Sequence, residues 1–169
     1  MLSYRVFGLP RSGTTWVANW LTTDRATCWH DPCEWALPYD VERWAERREN
    51  AGISCTGLWL LHAWDPGVPT LCLDRCPDEV QESLAKAGLP LLPEVVFDLW
   101  DALPFRKIAL AELLEPSRAE EVQRFLLPEL PFNCDRHAQL ARMNVQPSAL
   151  ELDRVRSAIA ITGGLKCPG

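Results

Sequence analysis

The residues best suited to chemistry lie close to the start of the chain, in Gly8-Leu9-Pro10-Arg11-Ser12-Gly13-Thr14-Thr15. This loop separates an apolar stretch, residues 4–9, from a helix-like one, residues 14–21. A strand feeding a glycine-rich turn and a helix aims several backbone N–H groups, and a helix end worth about +0.5 charge, at one spot. An anion is the ligand that such a spot takes. The spacing from Gly8 to Gly13 follows the phosphate-loop pattern G-x-x-x-x-G-K-[ST], with Thr14 standing where lysine belongs. That lysine reaches the β- and γ-phosphates in nucleotide triphosphatases, so its replacement argues against ordinary ATP hydrolysis. The cation stands instead inside the loop, at Arg11. A second pattern, Cys28, His30 and Cys33, supplies three metal-ligating side chains but has no matching second pair, and no metal site is expected from it.

The surrounding elements are read from periodicity and breakers. Residues 4–9 read as a buried strand and 14–21 as a helix. Residues 22–38 read as polar and then irregular, and 39–51 as a charged surface helix carrying Trp44 and ended by Gly52. The apolar runs 57–64 and 69–73 have strand length and are separated by the turn signal Asp65-Pro66-Gly67. Pro77 opens a helix in which Val80, Leu84 and Ala87 recur, closed by Gly88. Residues 93–103 form a further helix and 106–111 a strand. A helix then runs over 117–127, with Ser117 as N-cap and Glu120 completing a capping box. The segment 134–161 reads as helical, ahead of a tail beginning at Thr162. Strands alternating with helices imply an α/β fold, a three-layer sandwich with a central parallel sheet, built as a single domain over residues 1–169.

On these residues the chain resembles a known family. Leu9-Pro10-Arg11-Ser12-Gly13-Thr14-Thr15-Trp16 is similar to the 5′-phosphosulfate loop of the sulfotransferases, which have a P-loop NTPase-like fold and use 3′-phosphoadenosine 5′-phosphosulfate as sulfuryl donor. The resemblance assigns Arg11, Ser12, Gly13, Thr14 and Thr15 to the donor, with Arg11 neutralising charge on the transferring sulfonate and bridging oxygen. A fixed guanidinium with backbone donors can do this without a metal. Residues 71–84 resemble the family's 3′-phosphate motif, an arginine ending a strand and a serine eight residues on, here Arg75 and Ser83. Alone, Arg75 reads equally as a surface arginine paired with Asp74 or Asp78. The resemblance is dense over residues 4–21 and 68–88, looser over 106–143 and absent elsewhere. The family's Arg-Lys-Gly loop over the nucleotide has no counterpart beyond Gly163-Gly164-Leu165-Lys166, and Arg136, Arg142 or Arg154 are the candidates to replace it.

Sulfuryl transfer to an alcohol needs a base at the attacking oxygen. The resemblance points to two regions, the segment after the first helix and the end of an apolar strand. They offer Asp31, ranked first, then His62 and Glu34, with His30 as an orienting or substrate-binding partner. Asp31 also reads as an Asp-Pro turn, and His62 as a histidine bonded to backbone. Trp29, Trp35, Trp59 and Trp64 are candidates for an acceptor-binding wall.

Composition narrows the partners. With 17 basic and 23 acidic residues the formal charge is −6, which provides no broad cationic surface for nucleic acid. Up to residue 103 there are eight basic and fifteen acidic residues, so Arg11 and Arg75 stand out there. The apolar runs fall far short of the ~20 residues needed to cross a membrane. Seven irregularly spaced cysteines and no charged-then-apolar leader imply a reduced, cytoplasmic protein. The expected function is a sulfotransferase-like enzyme acting on a small-molecule or carbohydrate acceptor, releasing adenosine 3′,5′-bisphosphate and requiring no metal. The alternatives are a P-loop nucleotide or nucleoside kinase, or a non-catalytic nucleotide-binding protein on the same scaffold.

Overall fold

Alternate side chains of β1 (Tyr4–Gly8) point to two different hydrophobic cores, and that alternation organises the computed structural model, which describes residues 1–32, 36–57 and 67–143. Tyr4 and Val6 join one core and Phe7 the other, as the two-residue period of a strand covered on both faces requires. All of β1 is buried. The sheet has five parallel strands in the order β2-β3-β1-β4-β5, with β2 at Thr27–His30, β3 at Ala51–Cys55, β4 at Thr70–Asp74 and β5 at Arg106–Ala109. On the Tyr4 face lie α1 (Thr14–Leu21), the single turn α5 (Leu110–Leu113), α6 (Pro116–Leu126) and α7 (Cys134–Ala141). On the Phe7 face lie α2 (Pro38–Ala45), α3 (Pro77–Lys86) and α4 (Glu94–Asp101). The α/β class and the central parallel sheet agree with the sequence reading.

The topology explains where a ligand can sit. After β1 the chain runs to the far edge at β2, returns to β3 beside β1, and then crosses to β4 on β1's other side. The carboxyl ends of β1 and its neighbours therefore frame the point where the winding reverses, the usual crevice of such sheets. Gly8 is in register with Leu73, so the loops leaving β1 and β4 start level with each other.

Several expectations are corrected. Residues 27–30, read as polar and then irregular, form the edge strand β2, and residues 51–55, of which Ala51 and Gly52 read as a helix end and its stop, form the fully buried β3. Gly52 therefore does not stop a helix. It lies against the Tyr4 ring, where a Cβ would meet ring carbons at 2.3 Å. β5 ends at Ala109, and Leu110 and Ala111 belong to α5. Helix α6 begins at Pro116 with Glu115 as N-cap and no side-chain cap, so Ser117 does not cap it. Of the two cysteines flanking the end of β4, Cys72 is buried and Cys76 is exposed. Helix α7 ends at Ala141, and residues 144–169 lie outside the described residues, as do 58–66 with most of the apolar run and turn read there. Among the described residues no helix is long and apolar enough to cross a membrane.

Candidate anion site at the β1–α1 loop

The loop turns tightly. Ser12 N–H donates to the Leu9 carbonyl at 3.1 Å, and Arg11 takes a positive φ of 70°. Gly13 is the N-cap of α1 at φ 98° and ψ 15°, and an added Cβ there would meet Leu110 Cδ2 at 2.7 Å. Glycine is required twice over, for the left-handed backbone and for the approach of α5. A glycine cap offers no side chain to the first-turn N–H groups, and no acidic residue lies in that turn. The positive helix end stays available to a ligand. Ser12 is 1% exposed, and its Oγ is buried without a hydrogen-bond partner among the described residues.

Arg75 and Ser83, far from the loop in sequence, are brought to it by the pairing of β1 with β4. Arg11 Nε donates to Ser83 Oγ at 3.1 Å, and Arg75 NH1 donates to the Arg11 carbonyl at 2.5 Å. Two motifs that are separate in sequence thus form one connected surface. The acidic partner of Arg75 is neither Asp74 nor Asp78 but Glu79, one helical turn on, at 3.3 Å. A cleft of about 650 Å³ opens beside them. Arg11, Ser12, Asp74, Arg75 and Glu79 line its polar side, and Trp16, Leu110 and Leu114 are among its apolar lining.

On the other side of the loop stand His30 and Asp31, at the carboxyl end of β2. His30 Nε2 lies 3.1 Å from Oγ1 of Thr14 and 3.1 Å from Oγ1 of Thr15, the first two residues of α1, and 3.3 Å from Asp31 Oδ2. Asp31 is fixed from β3. Its N–H donates to the Ser54 carbonyl at 3.0 Å, and its Oδ1 accepts from Thr56 N–H at 2.6 Å and from Thr56 Oγ1 at 3.1 Å. Ser54 Oγ in turn donates to the Thr14 carbonyl at 2.8 Å. The sequence reading misses Ser54 and Thr56 because it misses β3, and the alternation Ile53-Ser54-Cys55 is the available signal.

No protein-family model, curated protein or solved structure matches the chain.

The remaining candidates divide. His62, Glu34, Trp35, Trp59, Trp64, Cys33, Arg154 and the Gly163-Gly164 segment lie outside the described residues. Trp29 packs its ring 6.0 Å from that of Trp44. Arg136 is engaged at the end of α1. Its NH2 donates to the carbonyls of Asn19 and Thr22, both at 2.6 Å, and so closes the carboxyl end of α1. Arg142 is exposed just past the end of α7. Burial pushes the Cys28 and Cys72 thiols up to about 12, and it also raises the Tyr4 phenol. Among the described residues no group of three or more His, Cys, Asp or Glu could hold a metal ion.

Proposed function

We propose that the protein transfers a sulfuryl group from 3′-phosphoadenosine 5′-phosphosulfate to a hydroxyl or amine of a small-molecule or carbohydrate acceptor. The observation that carries this reading is the contact between the two anion-binding motifs, Arg11 Nε to Ser83 Oγ at 3.1 Å. A donor with an anionic group at each end of one nucleoside needs two such motifs within a single ligand's reach. In this reading the α1 N–H groups and Arg11 hold the 5′-phosphosulfate, while Arg75 and Ser83 hold the 3′-phosphate that distinguishes the donor from ATP.

The sulfur–oxygen bond to the 5′-phosphate breaks as the acceptor oxygen or nitrogen bonds to sulfur, and negative charge collects on the bridging oxygen. Arg11 and the positive helix end are aimed at that charge. The acceptor approaches from the β2 side and gives its proton to Asp31, whose carboxylate keeps acceptor capacity beyond the bonds it already takes. The products are the sulfated acceptor and adenosine 3′,5′-bisphosphate.

The test is calorimetric binding of adenosine 3′,5′-bisphosphate against ATP with magnesium, on wild type and Arg75→Ala. Metal-independent binding of the bisphosphate, weakened about 10- to 100-fold by the substitution, is expected from the loss of charge-assisted bonds. A preference for magnesium-ATP would overturn the reading in favour of a kinase.

A further inference from the structure

Taking the transferase reading as its base, we infer that His30 is a positioning residue that commits the hydroxyls of Thr14 and Thr15 to donating toward the anion in the loop. A hydroxyl has one hydrogen to give, and one that spends it on the protein cannot also donate it to a ligand. What His30 Nε2 carries therefore decides what the two threonines can do.

The geometry around Nε2 decides it. Three oxygens surround this nitrogen: Thr14 Oγ1 and Thr15 Oγ1 at 3.1 Å and Asp31 Oδ2 at 3.3 Å. An ionised carboxylate has only lone pairs to offer, and a bare Nε2 facing it would set lone pair against lone pair. The favoured tautomer places the proton on Nε2 and leaves Nδ1 bare. That single hydrogen is shared among three acceptor oxygens, so Nε2 offers neither threonine a lone pair, and both hydroxyl hydrogens are free to turn toward the loop. Among the described residues neither hydroxyl has another hydrogen-bond partner. Ser12 Oγ, buried and unpartnered in the same loop, is a third hydroxyl with no acceptor among the described residues.

Asp31 supports the arrangement because it cannot rotate away. Its other oxygen is held by the N–H and hydroxyl of Thr56, and its backbone by β3. His30 thus brings a nitrogen beside Thr14, the position at which the phosphate-loop pattern carries its lysine. In this chain the nitrogen comes from the edge strand β2, with β3 between it and β1, rather than from the loop. It reaches the ligand through two hydroxyls instead of directly.

The experiment is calorimetry on the full chain with adenosine 3′,5′-bisphosphate and with adenosine 3′-monophosphate, which lacks the 5′-anion. His30→Ala is expected to weaken the bisphosphate about tenfold and leave the monophosphate unchanged. His30→Gln, which restores an N–H donor, is expected to recover most of that loss. In a Thr14→Val/Thr15→Val background, His30→Ala is expected to cost nothing further. An equal loss for both ligands would show damage to the fold. A full additional loss in the double-valine background would show that His30 does not act through the threonines. Unchanged affinity with reduced turnover would move His30 to the acceptor, and each of these three outcomes overturns the inference. If wild type binds neither nucleotide, the transferase reading itself falls.

Discussion

The two flanks of the β1–α1 loop are built on different principles. On the β4 flank, Arg75 and Ser83 meet Arg11 through long side chains at a half-open cleft, and Arg75 shares its charge with the exposed Glu79. On the β2 flank, His30 and Asp31 are held by backbone and short hydroxyl side chains, through a bond to the Ser54 carbonyl and bonds from Thr56, on and just beyond a fully buried strand. The first flank supplies charge that can move and be screened; the second supplies direction that cannot. Charge suits holding a soluble anionic donor, and fixed direction suits orienting protons at a reacting atom.

The largest effect that would sharpen this contrast is expected from Arg11→Ala, in the loop itself, where the β4 flank meets it. Turnover of a radiolabelled donor falls by about a hundred- to a thousandfold while the thermal midpoint stays near wild type, because a half-exposed loop side chain is lost and no core is opened. Unchanged turnover would remove Arg11 from the chemistry. Asp31→Asn is expected to lower turnover by about a hundredfold, with a much smaller loss of bisphosphate affinity than Arg75→Ala produces. The reverse pattern would erase the division between the flanks.

On the β4 flank, Glu79→Gln frees Arg75 from a solvent-exposed ion pair and is expected to tighten bisphosphate binding about threefold. Weaker binding would mean that Glu79 positions Arg75 rather than competing for it. The smallest effect is chemical. Cys76 lines the cleft and is exposed, so iodoacetamide modifies it at pH 8 and bound bisphosphate slows the modification. Cys28 and Cys72 do not react, because thiols raised to about 12 hold roughly one part in ten thousand as thiolate at that pH. Labelling of Cys28 in the folded protein would contradict the burial of that side chain.

Much of the β4 flank is legible in the sequence. The spacing of Gly8 and Gly13, the strand and helix lengths around them, and the helix from Pro77 to Gly88 are local signals, and the observed elements fall within a few residues of them. The β2 flank is not legible in the same way. Thr27–His30 is a four-residue edge strand, and Ala51–Cys55 contains a glycine and a serine that weaken any strand signal. Gly52 reads as a helix stop until the Tyr4 ring is seen lying against it. Ranking Asp31 above His30 as the active group likewise rests on residue type, because the bonds that Thr56 gives to Asp31 span 25 residues and leave no local trace.

The sequence alone determined a glycine-bounded turn between a strand and a helix, an alternating α/β chain and an arginine inside that turn, because backbone conformation and periodicity are local. Tertiary structure decided which distant groups meet that turn: Ser83 on Arg11, Arg75 on the Arg11 carbonyl, and His30 on both threonines. Those contacts depend on β1 lying between β3 and β4 in parallel register. Strand order is set by how two separate cores close over the sheet, a property of the whole packed chain that no local run of residues encodes.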